Sequence, residues 1–201
     1  MEVKSKKELQ TILLQIHDMA KSLNPSSLTL DVGCASGELL SLLHTEFHIP
    51  KKNLYGIDIS NEAIQKAQLT FKNIYKEDIL SFNPNCTFSV VFVLDVIEHI
   101  QDSSKLFNSL KQLVSKGGML VISTPNFDSL SRFFLRKSWF GYTDPTHCKY
   151  YTLSRLKHEL KQNSFEIIQT KTLSNSANII YNKLISATQL GGQILVVCKR
   201  V

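Results

Sequence analysis

The chain has 201 residues, 43% hydrophobic and 20% charged, with a formal net charge of +6. This is an ordinary globular composition, long enough for one domain with a full core, and it contains no internal repeat or low-complexity segment. The best apolar run, Val90 to Leu94, stops at Asp95, far short of a membrane span, and the polar start Met1-Glu2-Val3-Lys4-Ser5-Lys6-Lys7 opens no signal-peptide core. Cys34, Cys86, Cys148 and Cys198 are scattered without a C-x-x-C pair and read as reduced thiols, so the expected compartment is the cytoplasm.

Lys7 to Leu23 place Leu9, Ile12, Leu13, Ile16, Met19 and Ala20 at helical spacing on one face, and Asn24-Pro25 ends that helix. Leu28 to Val32 reads as a short buried strand. It breaks into a turn carrying Gly33 and Gly37 and continues into a helix from Glu38 to about Phe47. A strand, a tight glycine turn and a helix N-terminus direct backbone N–H groups and the positive end of the helix dipole at one point, as a nucleotide site needs. The glycines stand as Gly33-x-x-x-Gly37, which is not the G-x-G-x-x-G of dinucleotide folds, and no Gly-Lys-Ser/Thr follows as in a P-loop. Asp31, just before the turn, would repel a pyrophosphate but suits a ligand carrying an ammonium and a sulfonium.

Asn53 to Ile59 is the second strand. Asp58 stands at its end, 21 positions after Gly37, where an acid in a doubly wound fold receives both hydroxyls of a ribose. Ser60-Asn61-Glu62 caps the next helix through Ala63, Ile64 and Ala67. A third strand from Phe71 to Lys76 leads to Glu77-Asp78-Ile79. Phe88 to Leu94 is nearly continuous in apolar residues, as a central parallel strand requires, and Asp95-Val96-Ile97-Glu98-His99 follows at its ligand-binding end. A helix from Lys105 to Val114 is expected to stop at Lys116-Gly117-Gly118, followed by a fifth strand, Met119 to Ser123, halted by Pro125.

Phe127 to Tyr151 has no clean period and is rich in aromatics, which reads as a substrate lid. From Phe127 to Lys161 seven basic residues stand against three acidic ones, a net of +4. That is either a solvated surface or a mouth for an anionic acceptor such as a phosphorylated or carboxylated metabolite or an RNA end. Thr152 caps a helix to Asn163, Phe165 to Thr170 is strand six, and Gln193 to Cys198 is strand seven. The stretch between these strands, with Ile179, Ile180, Tyr181, Leu184 and Ile185, is expected to be a helix or second lid. Two final strands without a full crossover suggest an antiparallel pair at one edge.

These motifs together resemble the class I S-adenosylmethionine-dependent methyltransferases, near the ubiquinone-pathway O-methyltransferases and related small-molecule enzymes. The resemblance rests on Asp31-Val-Gly-Cys-Ala-Ser-Gly37, Gly56-Ile-Asp58-Ile-Ser60, Asp95-Val-Ile-Glu-His-Ile100, Gly117-Gly-Met-Leu-Val-Ile-Ser-Thr-Pro-Asn126 and Asp144-Pro-Thr-His147, and it covers about Leu28 to Val201. It implies an α/β fold: one doubly wound, mostly parallel seven-stranded sheet with an antiparallel last strand. It also implies one domain over residues 1–201, with the helix in 1–24 and lids in 127–151 and 173–192. Ala35 stands where the family's central glycine usually is, a substitution that fits freely only at negative φ.

For the cofactor, S-adenosylmethionine, the resemblance implies contacts from Asp31, Gly33, Cys34 and Gly37, from Asp58 and Ile59, from Asp78 and Ile79 at the adenine, and from Asp95. Methyl transfer to a hydroxyl then needs in-line alignment and a way to remove a proton. His147 and His99 are the candidate catalytic groups. Asp95, Glu98, His99 and His147 also form a candidate Mg²⁺ or Mn²⁺ site, since some related enzymes carry E-x-x-E-H and a later His; here the first acid is Asp. The expected reaction is methylation of an oxygen, less readily a nitrogen, of a small metabolite. An RNA 2′-O-methyltransferase and a non-catalytic cofactor-binding partner subunit are the competing readings.

Overall fold

The computed structural model describes residues 4, 6–15, 26–174 and 188–201. The expected helix beyond Gln15, its Asn24-Pro25 stop, and the apolar residues from Ile179 to Ile185 lie outside them. The elements are α1 (Lys6–Gln15), β1 (Thr29–Val32), α2 (Glu38–Phe47), β2 (Leu54–Asp58), α3 (Asn61–Gln68), β3 (Asn73–Lys76), β4 (Phe88–Leu94), α4 (Ser103–Leu113), β5 (Val114–Pro125), α5 (Leu130–Leu135), α6 (Phe140–Thr143), α7 (Leu153–Gln162), β6 (Phe165–Leu173) and β7 (Gln193–Arg200). Among the described residues no helix is long and apolar enough to cross a membrane.

The strands form one sheet in the order β3-β2-β1-β4-β5-β7-β6. The first five run parallel, and β7 lies antiparallel between β5 and β6. Alternation along the central strands supplies two cores. Val91, Val93, Leu120, Ile122, Ile194 and Val196 face α4 and α7, which bury Leu106, Phe107, Leu110, Leu156 and Leu160. Val90, Phe92, Val121, Leu195 and Val197 face the other way, onto α1, α2 and α3 through Ile12, Leu40, Leu43 and Ile64. With helices on both faces, the central strands must be apolar on both, which explains the unbroken run of β4.

Several boundaries differ from the sequence reading. The helix expected from Lys105 begins at Ser103, because Asp102 accepts a hydrogen bond from the Lys105 amide (3.0 Å) and caps it there. It ends at Leu113, before the glycines. Gly117 (φ +77°) and Gly118 belong to β5, which starts at Val114 beside Phe88, and the β4–β5 register slips between Phe88 and Val90. A Cβ on Gly118 would come within 2.9 Å of the Ser115 carbonyl oxygen, so these glycines serve an irregular stretch of strand and not a helix stop. The third strand starts at Asn73, not Phe71; Phe71 is buried instead against Gly37, where a Cβ would meet its ring at 3.2 Å. The aperiodic segment after β5 is not bare loop: it holds α5, α6 and a single 3₁₀ turn, Arg136–Ser138.

Candidate active site

Strand order reverses between β1 and β4, and an open α/β sheet binds ligands at such a switch point, outside the carboxyl ends of its strands. A cleft opens there, lined by Asp31, Gly33, Cys34, Ala35, Glu38 and Leu39 from the β1 side and by Leu94 and Asp95 from the β4 side, with Lys4 and Leu9 above. The turn closes on its own backbone. Gly33 and Cys34 both donate to the Ile57 carbonyl (2.8 and 3.0 Å), Gly37 donates to Cys34 O (2.9 Å), and the Ala35 amide donates to Asp58 Oδ2 (3.0 Å). Those N–H groups are spent within the protein, so this turn is no phosphate cradle.

Gly33 (φ +75°) and Gly37 (φ +89°) supply the left-handed backbone that the turn demands. Ala35 shares it at φ +47°, so alanine sits here in the strained region and not at the negative φ that would accommodate it freely. Asp95, across the cleft, is also left-handed at φ +56°. Two strained non-glycine residues facing one cleft mark it as the place where the fold gives up local stability for geometry. The Cys34 thiol turns down over Gly56, whose Cβ would stand 2.7 Å from Sγ, so Cys34 lines the cleft without presenting its sulfur freely.

The cleft is acidic. Asp31 is buried, and burial first, then the Asp58 and Glu38 carboxylates, hold its carboxyl well above the ordinary carboxylate range. Asp58 is likewise buried, with Oδ1 accepting from the Ser60 amide (2.8 Å) and Oδ2 from Ala35; each oxygen keeps a lone pair for a further donor. Ile59 beside it is exposed. Asp78 is exposed and accepts from the Leu80 amide (2.9 Å), while Ile79 packs into the core. Asp95 receives Gln193 Nε2 on both carboxylate oxygens (2.7 and 3.0 Å) and Ser123 Oγ on one (3.1 Å), and pairs with the Lys4 ammonium.

Lys4 and Gln193 were not legible as site residues. Lys4 lies in a polar stretch before α1 and Gln193 at the start of β7; the sheet order brings Gln193 to Asp95, and Lys4 reaches it from outside the sheet.

Beside the cleft, Glu98, His99 and His147 each bring one donor atom within 4.8 Å of the others. Asp95 does not join them: the chain turns through a 3₁₀ turn, Ile97–His99, and the Asp95 carboxylate points to Gln193 and Lys4 instead. His147 Nδ1 donates to the Gly141 carbonyl (2.8 Å), and its Nε2 lies 3.9 Å from Asp144 Oδ2. Thr146 Oγ1 donates to Asp144 Oδ1 and therefore accepts from His99 Nδ1 (2.9 Å), so the His99 Nε2 lone pair is free. Burial first, and then the neighbouring His147, lower the His99 pKa and favour the neutral ring. Glu98 is buried; Oε2 accepts from Thr124 Oγ1 (2.9 Å), and Oε1 has no hydrogen-bond partner among the described residues. Burial, then Asp95, push its carboxyl well above the usual range.

The segment after β5 is pinned over this cluster. The Glu98 carbonyl accepts the amides of Cys148 and Lys149 (3.0 Å each). Asn126 is buried and donates through Nδ2 to the carbonyls of Gln189 (3.1 Å) and Gly191 (2.8 Å). Phe127, Trp139, Tyr142 and Tyr150 pack edge to face and tilted, with ring centroids 5.0–6.5 Å apart.

The strand order, the reversed β7 and an acid-lined crevice at the switch point define the Rossmann-like methyltransferase fold. Residues 6–170 match the family described as a methyltransferase domain, and the chain belongs to that family, the class I S-adenosylmethionine-dependent methyltransferases. A ubiquinone biosynthesis O-methyltransferase from Paraburkholderia phymatum is 32% identical over 114 residues, 52% of this chain and 47% of that protein. The chain thus spans less than half the length of this curated relative. A SAM-dependent methyltransferase from Archaeoglobus fulgidus superposes with a TM-score of 0.73 at 21% identity, covering 98% of this chain and 95% of the other. Magnesium protoporphyrin IX methyltransferase from Synechocystis, crystallised with bound SAH, gives 0.67 at 20% identity over 98% and 83%. At those identities the likeness concerns the fold.

Proposed function

We propose that this chain transfers the methyl group of S-adenosylmethionine to an oxygen of a small acceptor, with His147 as the general base. The observation that carries the reading is the orientation of His147: Nδ1–H is held by Gly141 O, so Nε2 is the nitrogen that can take a proton, with the Asp144 carboxylate 3.9 Å away to balance the charge it gains. The sulfonium is already an activated electrophile, so the protein supplies geometry and proton removal. Asp58 takes the ribose hydroxyls, Asp78 and the Ile79 amide take the adenine edge, and Asp31 faces the ammonium end. Gly33, Cys34, Gly37 and Ile59 shape the cofactor walls, and Asp95 closes the far side. The acidity of the cleft suits a cationic ligand.

A second version draws support from the orphaned Glu98 Oε1. With the Nε2 atoms of His99 and His147, it offers one carboxylate and two imidazoles to a divalent cation such as Mg²⁺ or Mn²⁺. When bound, such an ion would lower the pKa of an acceptor hydroxyl.

Thermal shift with S-adenosylhomocysteine against NAD and NADP tests the cofactor; stabilisation by the nicotinamides alone would end the proposal. Once an acceptor is in hand, a chelator separates the two versions. Activity lost to the chelator and restored by Mg²⁺ or Mn²⁺ selects the metal; unchanged activity selects the free base.

A further inference from the structure

Outside the site, one stretch of surface breaks the usual pattern. Phe133, Phe134 and Leu135 are consecutive, and they are 70%, 72% and 51% exposed. Leu14, Leu69 and Ile168, other strongly exposed aliphatics, stand apart from one another in sequence, as scattered surface apolar residues do. The stretch is not loose chain. Ser129 caps α5 by accepting the Arg132 amide (3.2 Å), the Leu130 amide donates to Leu190 O (3.0 Å), and Arg132 is bound to the Phe127 carbonyl and lies 4.1 Å over the Phe127 ring. The inner side of α5 is therefore anchored, and its two phenylalanines and leucine are held outward.

Charge accompanies them. Arg136 and Lys137 follow immediately and are exposed, and no acidic residue occurs between Asp128 and Asp144. Of the basic residues in this half of the chain, Arg132 is committed to Phe127, Lys149 to the Gln101 carbonyl (3.0 Å) and Arg155 to Glu159 (3.0 Å). Arg136 and Lys137 take part in none of those contacts. An apolar tip of aromatic and aliphatic side chains with a cationic rim matches the boundary of an anionic bilayer: the rings and the leucine enter below the headgroups while arginine and lysine stay at the phosphates. Single-stranded RNA fits less well, because the Phe133 and Phe134 rings meet at 85° and cannot offer parallel faces to successive bases, and Leu135 has no face to stack.

We propose that Phe133-Phe134-Leu135 with Arg136-Lys137 is a docking surface for anionic lipid bilayers. The proposal does not depend on the chemistry at His147. It is tested by co-sedimentation of the whole chain with phosphatidylcholine vesicles with and without phosphatidylglycerol. Wild-type protein should sediment with the anionic vesicles, less as salt rises, and only weakly with phosphatidylcholine alone.

F133S/F134S should weaken anionic-vesicle binding by about tenfold or more, with a melting curve close to wild type because the two rings are exposed. R136Q/K137Q, which removes charge without touching the apolar tip, should also lower binding by about tenfold. Wild-type protein left in the supernatant with anionic vesicles at low salt would overturn the proposal, and so would either double variant sedimenting as wild type does. A protein that binds an RNA oligonucleotide through these residues and ignores vesicles would overturn it in favour of a nucleic-acid face.

Discussion

The turn after β1 and the segment after β5 lie at the same edge of the sheet, yet they are held in different ways. The turn is a backbone object: three left-handed residues, Gly33, Ala35 and Gly37, fold it so that its amides close on Ile57, Cys34 and Asp58. The segment is a side-chain object: rings packed on rings, the Asn126 amide reaching back to the residues before β7, and two imidazoles whose outer nitrogens are fixed by neighbours. Tight backbone closure suits a ligand common to many enzymes, whereas packed side chains can be exchanged without disturbing the sheet. In the first region a substitution should act on cofactor affinity and stability, and in the second on rate.

The largest expected effect tests the second region. His147→Ala should lower the methyl-transfer rate by about 10²–10⁴-fold while calorimetric affinity for S-adenosylhomocysteine stays within a factor of two or so. Full activity in the variant would leave alignment alone as the source of catalysis and erase the distinction drawn between the regions. In the first region, Asp58→Ala should weaken cofactor binding by about 10- to 150-fold, the cost of a charge-assisted hydrogen bond. Because Asp58 also holds the Ala35 amide, the same variant should melt earlier, an effect with no counterpart in His147→Ala.

Asp31 gives a smaller effect with a definite sign. Its folded-state pKa is raised, chiefly by burial, so the folded protein binds that proton more tightly than the unfolded chain does. Its contribution to stability is then fully present below the ordinary carboxylate pKa and is lost as pH rises through the raised value. Asp31→Asn should therefore melt higher than wild type by a margin that grows from about pH 4 upward, while losing about tenfold in cofactor affinity. Binding of the cationic cofactor should also draw Asp31 into its ionised form and release a proton, which calorimetry in two buffers of different ionisation enthalpy would detect. A flat difference in melting temperature across pH would show that Asp31 does not titrate between the folded and unfolded states. Smallest of all, Ala35→Gly should relieve the left-handed alanine. The gain is about 1 kcal/mol before the entropy of a freer unfolded chain is subtracted, or about 2–4 °C at most.

The same contrast explains what could be read from the chain. The glycine turn and the strand-end acids were legible because their determinants are local: glycine spacing, an acid at a strand end, an apolar run before Asp95. Asp31, Gly33, Gly37, Asp58 and Asp95 can be placed from neighbours a few residues away. The glycine-rich strand start at Gly117-Gly118 was misread for the same reason, since glycine after a helix is a local stop signal and the pairing that claims it, with Phe88, is 26 or more residues distant. Asp95 could be assigned to the cofactor or to a metal from its spacing to His99, whereas its contacts with Gln193 and Lys4, apart from the Glu98-His99-His147 group, come from distant parts of the chain. Lys4 and Gln193 reach the site through the third dimension alone, as does the Thr146–Asp144 pair that orients His99.

Trp139 is the sole tryptophan of the chain. It is fully buried, with Tyr142 at 5.0 Å and Phe127 at 6.3 Å, and so close to Gly141 that a Cβ there would overlap its ring. Gly141 is also the residue whose carbonyl holds His147. The protein thus carries one tryptophan reporter, in the segment after β5, and none at the glycine turn after β1. Selective excitation near 295 nm would record one emitter, packed against the Tyr142 ring 5.0 Å away. Titrating unlabelled small molecules against that single emission band offers an acceptor screen that needs no turnover, and the Phe127→Leu variant would calibrate how much of the signal arises from ring contact.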